Sequence, residues 1–171
     1  VRGGGLASGL PFATFEVDAD GTVRLCGFWG RALGGRLRSD GQLSREDLGT
    51  PLPPDDLVLR AARLLQARCG VPHGAHIGVD KQVPAEAGMG GGSSDAASCL
   101  LALNRLWNLG LPQAELCRIG LALGADVPFF IAGRNAWVEG IGDILMPIRL
   151  PSERYVVVKP PQGLATARIF S

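Results

Sequence analysis

Lysine is nearly absent from this chain. Of 17 basic residues only Lys81 and Lys159 are lysines. No lysine follows Gly92, so the glycine-dense stretch at 84–94 is not a Walker loop, which ends in Gly-Lys-Ser/Thr. Glycine is also missing at 93, where Ser93 stands. That excludes a G-x-G-x-x-G dinucleotide fingerprint started at Gly88, and with it the protein-kinase loop of the same spacing. Cysteine is sparse: Cys26, Cys69, Cys99 and Cys117 form no C-x-x-C pair, which argues against both a zinc site and a redox motif. Cys99 and Cys117 fall within helical patterns and read as small core residues. His73 and His76 have no third ligand nearby and read as surface-loop residues. The longest apolar run, 119–132, carries Asp126 and is too short to span a bilayer. No signal peptide is visible, and the expectation is a cytoplasmic protein. Net charge is only +1, and Trp29, Trp107 and Trp137 form no basic-aromatic platform, so neither nucleic acid nor a membrane is an expected partner.

What is present is concentrated in one segment. Pro84, Ala85, Glu86, Ala87, Gly88, Met89, Gly90, Gly91, Gly92, Ser93 and Ser94 run into the helix-forming Asp95-Ala96-Ala97. Glycines let several backbone N–H groups approach an anion with no Cβ in the way. The following helix adds unsatisfied first-turn N–H groups and the positive end of its dipole, and the serines add hydroxyls. A flexible Gly/Ser linker is the bland alternative. It does not account for Ala96, Leu100, Leu103 and Trp107, whose spacing makes the next segment an amphipathic helix. The segment therefore predicts a phosphate cradle for a nucleotide.

At 171 residues and 46% hydrophobic, the chain can bury one sizeable core. Thr14-Phe15-Glu16-Val17 and Thr22-Val23-Arg24-Leu25 read as a hairpin around Asp20-Gly21. Residues 27–54 read as a long loop. Asp55 or Asp56 caps a helix over 57–68 that Gly70 ends. A short strand over 76–80 leads to Lys81. The loop helix runs to about Trp107, and Pro112 opens another with Leu116, Ile119 and Leu123 inward. Residues 124–128 read as a turn, 129–132 and 136–138 as paired strands, and 155–158 as a further strand. Hairpins mixed with clustered helices argue for an α+β fold.

Asp126 is the carboxylate best placed for chemistry. It is a lone acid between Gly124-Ala125 and Val127-Pro128-Phe129-Phe130. It is either a buried acid held for function, or a turn aspartate bonding local N–H groups. Phosphoryl transfer needs a group to orient the accepting hydroxyl, and an ionised aspartate suits that task. Lys81 either reaches the nucleotide or is simply solvated.

Several stretches together resemble the galactokinase, homoserine kinase, mevalonate kinase and phosphomevalonate kinase (GHMP) superfamily. They are Asp55-Asp56-Leu57-Val58-Leu59-Arg60-Ala61-Ala62, Asp80-Lys81, Gly88-Met89-Gly90-Gly91-Gly92-Ser93-Ser94-Asp95, Leu103-Asn104-Arg105-Leu106-Trp107, Leu123-Gly124-Ala125-Asp126-Val127-Pro128 and Glu139-Gly140-Ile141-Gly142-Asp143. The glycine triplet before Ser-Ser, with Gly-Ala-Asp-Val-Pro, is most similar to the branch acting on 4-diphosphocytidyl-2-C-methyl-D-erythritol in non-mevalonate isoprenoid precursor synthesis. The resemblance implies a GHMP N-terminal domain, a mixed β-sheet packed with helices, and transfer of the ATP γ-phosphate to the 2-hydroxyl of that small molecule with Mg2+. It implies that residues 84–94 wrap the phosphates, that Asp56, Leu57 and Lys81 line the adenine side, that Ala125 lies by the substrate, and that Asp126 faces the acceptor hydroxyl. Asparagine is usual in the family where Asp56 stands, and in some members where Asp95 stands.

The family's Pro-x-Lys segment, its Asp-Gly-Tyr-His segment and its C-terminal domain are not found in these residues. The expectation is thus a partial domain over 1–171 of a longer protein, inactive alone, with the metal ligand unassigned. Another GHMP small-molecule kinase, of homoserine or mevalonate type, and a non-catalytic nucleotide-binding fragment are the alternative readings.

Overall fold

The computed structural model describes residues 13–17, 23–27, 30–81, 88–151, 156 and 158, with side chains from Gly35 onward. Five strands form one sheet in the order β1-β2-β3-β5-β4: β1 (Ala13–Val17), β2 (Val23–Gly27), β3 (Gly30–Arg38), β4 (Leu43–Asp47) and β5 (Gly74–Val79). β1 to β3 and β5 pair antiparallel, whereas β4 lies parallel to β5. The parallel pair needs a crossover, which helix α1 (Leu57–Cys69) supplies. The result is the mixed sheet of an α+β fold, as the sequence leads one to expect.

The sheet is two-faced because β5 alternates. Ala75, Ile77 and Val79 are buried, while His76 and Gly78 point to the half-open side. Helix α2 (Gly91–Leu106) packs on the buried side and lies against α1. Small residues make the approach close: Ala61, Ala62, Ala96 and Ala97 are buried, and the Cys99 thiol donates to the Val58 carbonyl at 3.5 Å. Leu65, Leu100 and Leu103 fill the layer, each worth about 1.5–3 kcal/mol on burial. Truncating Leu100 to alanine would cost about 2–5 kcal/mol, because the surrounding helices cannot fully collapse into the space. Trp107 closes the far end, its indole N–H donating to the Gly74 carbonyl at 3.3 Å.

Helices α3 (Gln113–Leu121) and α4 (Val127–Ala132) complete the helical layer. A hairpin of β6 (Ala136–Glu139) and β7 (Ile144–Pro147) follows. Asp56 caps α1 by accepting from Leu59 N–H at 3.1 Å, and Gly70 ends it in the left-handed region. Among the described residues no helix is long and apolar enough to cross a membrane.

Two expectations are corrected. Residues 27–54 are not one long loop, since β3 and β4 both lie there. Gly30–Arg38 carries too much glycine to show apolar alternation, and its extended form is set by neighbours on both sides, β2 and β5. Residues 129–132 are not a strand. Pro128 in the first turn of α4 and left-handed Gly133 after it bracket a helix, and the partner of β6 is β7. A short apolar run cannot distinguish these states by period. The strand expected at 155–158 falls partly outside the described residues, and the hairpin turn at 18–21 lies wholly outside them.

Candidate active site

The cradle is a helix start rather than a loop followed by a helix. Gly90 is the N-cap of α2 at φ 66, so Gly91, Gly92, Ser93 and Ser94 form its first turn. The first intrahelical bond runs from Ser94 N–H to the Gly90 carbonyl at 2.9 Å, and no side chain caps the turn. The N–H groups of Gly91, Gly92 and Ser93 therefore precede the first helical bond, which is the arrangement that receives an anion. Pro84, Ala85, Glu86 and Ala87 lie outside the described residues. Gly88, at φ 68, and Met89 lead into the turn.

Two walls flank this turn. On one side the Leu57 Cδ1 lies 3.4 Å from where a Cβ on Gly92 would stand. On the other, a Cβ on Gly90 would lie 2.7 Å from the Phe130 Cζ, so the ring occupies the space that glycine leaves free. Phe130 belongs to α4, and Asp126 is the N-cap of that helix, one turn earlier. Residues four apart on a helix share a face, so Asp126 stands on the side of α4 that meets the glycine turn. Asp126 is exposed, and no side-chain hydrogen bond caps α4 from it. This corrects both sequence alternatives: the acid is neither buried nor spent on local N–H groups. Ala125 is also exposed, and Gly142 of the β6–β7 turn presses against its carbonyl.

Residues 56–134 match the family described as GHMP kinases N terminal domain. The chain is 70% identical over 143 residues to the 4-diphosphocytidyl-2-C-methyl-D-erythritol kinase of Variovorax paradoxus, covering 84% of this chain and 48% of that protein. It is 63% identical over 143 residues to the enzyme of the same name from Albidiferax ferrireducens, covering 84% of this chain and 50% of the relative. A crystal structure of 4-(cytidine 5'-diphospho)-2C-methyl-D-erythritol kinase superposes with a TM-score of 0.59 at 34% identity, covering 82% of this chain and 52% of that one. Residues 56–134 thus resemble a GHMP kinase N-terminal domain. A homoserine kinase from Cytophaga hutchinsonii shares the fold at a TM-score of 0.60 with 18% identity, over 93% of this chain and 57% of that one. The chain spans about half the length of the curated relatives it matches.

The charged adenine-side candidates are each engaged with another group of the chain. Lys81 is paired with Asp95 of α2, and both side chains are largely buried. Burial pushes the Asp95 carboxyl up, against the opposing pull of Lys81, and the nearby Asp56 adds to the rise. The alternative of a solvated Lys81 is thereby set aside. Asp56 is committed as well, and an open carboxylate beside the base is not what the structure presents. Its Oδ1 takes Leu59 N–H and also pairs with Arg45 Nη1 at 2.6 Å. Asp56 is thus paired with a residue that the sequence left inside an uninterpreted loop. The same burial, with the charges of Asp56 and Asp95, raises the Cys99 thiol and keeps it protonated.

His76 is a strand residue rather than a loop residue. It meets the Ser44 hydroxyl at 3.0 Å and the Glu46 carboxylate at 3.2 Å across the β4–β5 pair. Among the described residues no group of three or more His, Cys, Asp or Glu is arranged to hold a metal.

Sequence reasoning missed Phe130 and Arg45. Phe130 was hidden by the strand reading of its segment. The Arg45-Glu46-Asp47 alternation was a signal, since charges two apart on a strand share a face.

Proposed function

We propose that this chain is the nucleotide-binding part of an ATP-dependent small-molecule kinase. The reaction moves the γ-phosphate to the 2-hydroxyl of 4-diphosphocytidyl-2-C-methyl-D-erythritol and gives the 2-phosphate and ADP. The observation that carries the reading is the uncapped glycine turn at 90–93 with Asp126 on the adjoining face of α4. High identity to relatives named for this reaction supports the choice of acceptor over homoserine or mevalonate.

The residues fit the triphosphate. Gly91, Gly92 and Ser93 offer backbone N–H donors that do not ionise near neutral pH, and the Ser93 and Ser94 hydroxyls stand at the same turn. Leu57 gives an apolar edge suited to a base. Asp126 accepts a hydrogen bond from the acceptor hydroxyl and aligns its oxygen for in-line attack. Ala125, small and exposed beside it, leaves room for that acceptor. Magnesium bridging phosphate oxygens would neutralise charge developing in the transfer.

The test is a coupled ADP assay on the natural gene product with ATP, Mg2+ and each candidate acceptor. Turnover with the cytidine-linked erythritol and none with homoserine or mevalonate is the expected result. A preference for either other acceptor would overturn the substrate assignment, and turnover with none would favour a non-catalytic nucleotide binder.

A further inference from the structure

The most completely bonded side chain in the described structure has no place yet in the nucleotide reading. Arg45, only 8% exposed, directs Nε to Asp47 at 2.6 Å and Nη2 to the other Asp47 oxygen at 3.1 Å and to the Leu52 carbonyl at 3.0 Å. Its Nη1 reaches the Pro53 carbonyl at 2.9 Å and Asp56 at 2.6 Å. Those contacts use all five guanidinium donors. Asp47 also accepts Leu52 N–H at 2.9 Å. That backbone bond, with Arg45, holds its carboxyl below the ordinary value.

Such a cluster does more than join two surface loops. A buried guanidinium is tolerated only when its donors are met, and here residues 47–56 are wound around it to meet them. What the winding fixes is the start of α1. Asp56 is at once a partner of Arg45 and the N-cap of the helix. The next residue, Leu57, is the one whose Cδ1 would lie 3.4 Å from a Cβ added to Gly92 in the first turn of α2. The contacts thus run from Arg45 through Asp56 and Leu57 to the phosphate turn.

We propose that Arg45 is a positioning residue for the base end of the nucleotide. It does not touch the ligand. It sets where Leu57 stands relative to the glycine turn, and so fixes the distance between the base wall and the phosphate donors. Lysine cannot take its place, because an ammonium has three donors and no planar fork. The proposal rests on the nucleotide reading above, and it adds a residue and a division of labour that the reading does not contain.

The experiment compares ATP with inorganic tripolyphosphate, which has the phosphates but no base, by calorimetric titration of the natural gene product. For Arg45→Lys the expected result is ATP affinity down by at least about ten-fold, the scale on which small misplacements act. Tripolyphosphate affinity should stay within about two-fold, the margin for independent sites. In turnover the KM for ATP should rise while kcat is nearly kept. If Arg45→Lys fails to fold, Asp47→Asn carries the same comparison, since it weakens the paired contact that holds the Arg45 guanidinium against Asp56 while keeping the Arg45 side chain itself. Equal losses for both probes would mean general structural damage and would overturn the proposal, as would unchanged ATP affinity. A wild-type protein that binds neither probe would overturn the nucleotide reading itself, and this assignment with it.

Discussion

Replacing Gly90 with alanine tests the cradle at its tightest point. Two costs follow from the geometry. The residue sits at φ 66, a conformation that charges an L-residue about 1–2 kcal/mol. The new Cβ would also lie 2.7 Å and 2.8 Å from two Phe130 ring carbons. Carbon atoms rest about 3.5–4.0 Å apart, so the ring or the turn must retreat by about 1 Å. Overpacking of this kind costs about 1–3 kcal/mol, and the half-buried ring favours the lower end. Gly90→Ala should therefore lose about 2–4 kcal/mol in urea denaturation. It should also weaken ATP binding by about ten-fold or more as the N–H groups of residues 91–93 turn away. Phe130→Leu removes the ring and leaves the backbone strain. The double variant should then be better than the sum of the singles by about 1 kcal/mol, the coupling typical of residues in contact. A Gly90→Ala protein with unchanged stability and ATP affinity, or strictly additive singles, would refute the packing of α4 on the cradle.

Three further outcomes are expected. Asp126→Asn should lower kcat by about 10²–10⁴-fold with the KM for ATP nearly unchanged, read from steady-state turnover, because the acid orients the acceptor and not the nucleotide. Lys81→Met leaves Asp95 buried without its partner and should cost about 3–5 kcal/mol in urea denaturation, and Asp95→Asn in the Lys81→Met background should recover part of it. Acid should act on two groups in opposite senses. Asp40 is held at about 2 by Arg38 and the Gln42 N–H, so its stabilisation is present above the ordinary value of 3.8 and is lost as pH falls toward 2; Asp47 is lowered by Leu52 N–H and Arg45, and its stabilisation is likewise lost as pH falls below the ordinary value. Asp95 has a raised value, so ionising it disfavours the fold above that value, and the penalty is relieved as pH falls through it. Denaturation midpoints against pH for Asp47→Asn should lose part of the acid slope, whereas Asp95→Asn should steepen it.

Local chemistry was legible wherever one side chain decides one backbone state. Asp56 and Gly70 announce the ends of α1, and the apolar spacing of Ala96, Leu100, Leu103 and Trp107 announces the buried face of α2. The glycine turn was legible as a helix start with free amides because amide geometry needs no distant partner. Illegible features were those that neighbours impose. β3 is a strand because β2 and β5 hold it, and its own residues do not say so. The committed state of Asp56 was hidden for the same reason: whether a carboxylate is open or paired depends on Arg45, eleven positions earlier. The Lys81 pairing needed Asp95 folded back onto it across the cradle segment.

The position of Asp126 shows how such imposed structure reaches function. Its helix has only six residues, too few to be stable in isolation, and the acid itself makes no capping bond that would anchor it. The anchoring comes from close approaches at residues without a Cβ. Gly90 admits Phe130, Gly120 admits Val127 and Ile131, whose atoms would lie 2.8 Å from a Cβ there, and Gly142 admits the Ala125 carbonyl. Three segments thus hold α4 from different sides while leaving its N-cap residue, Asp126, exposed. A carboxylate fixed through its backbone in this way keeps its oxygens free for a ligand, which a carboxylate fixed through its own hydrogen bonds cannot do. Gly120→Ala, remote from any phosphate, should then lower kcat more than it raises the KM for ATP, by displacing α4 and Asp126 together. Equal kcat in a stably folded Gly120→Ala enzyme would show that the acid is positioned by something other than this packing.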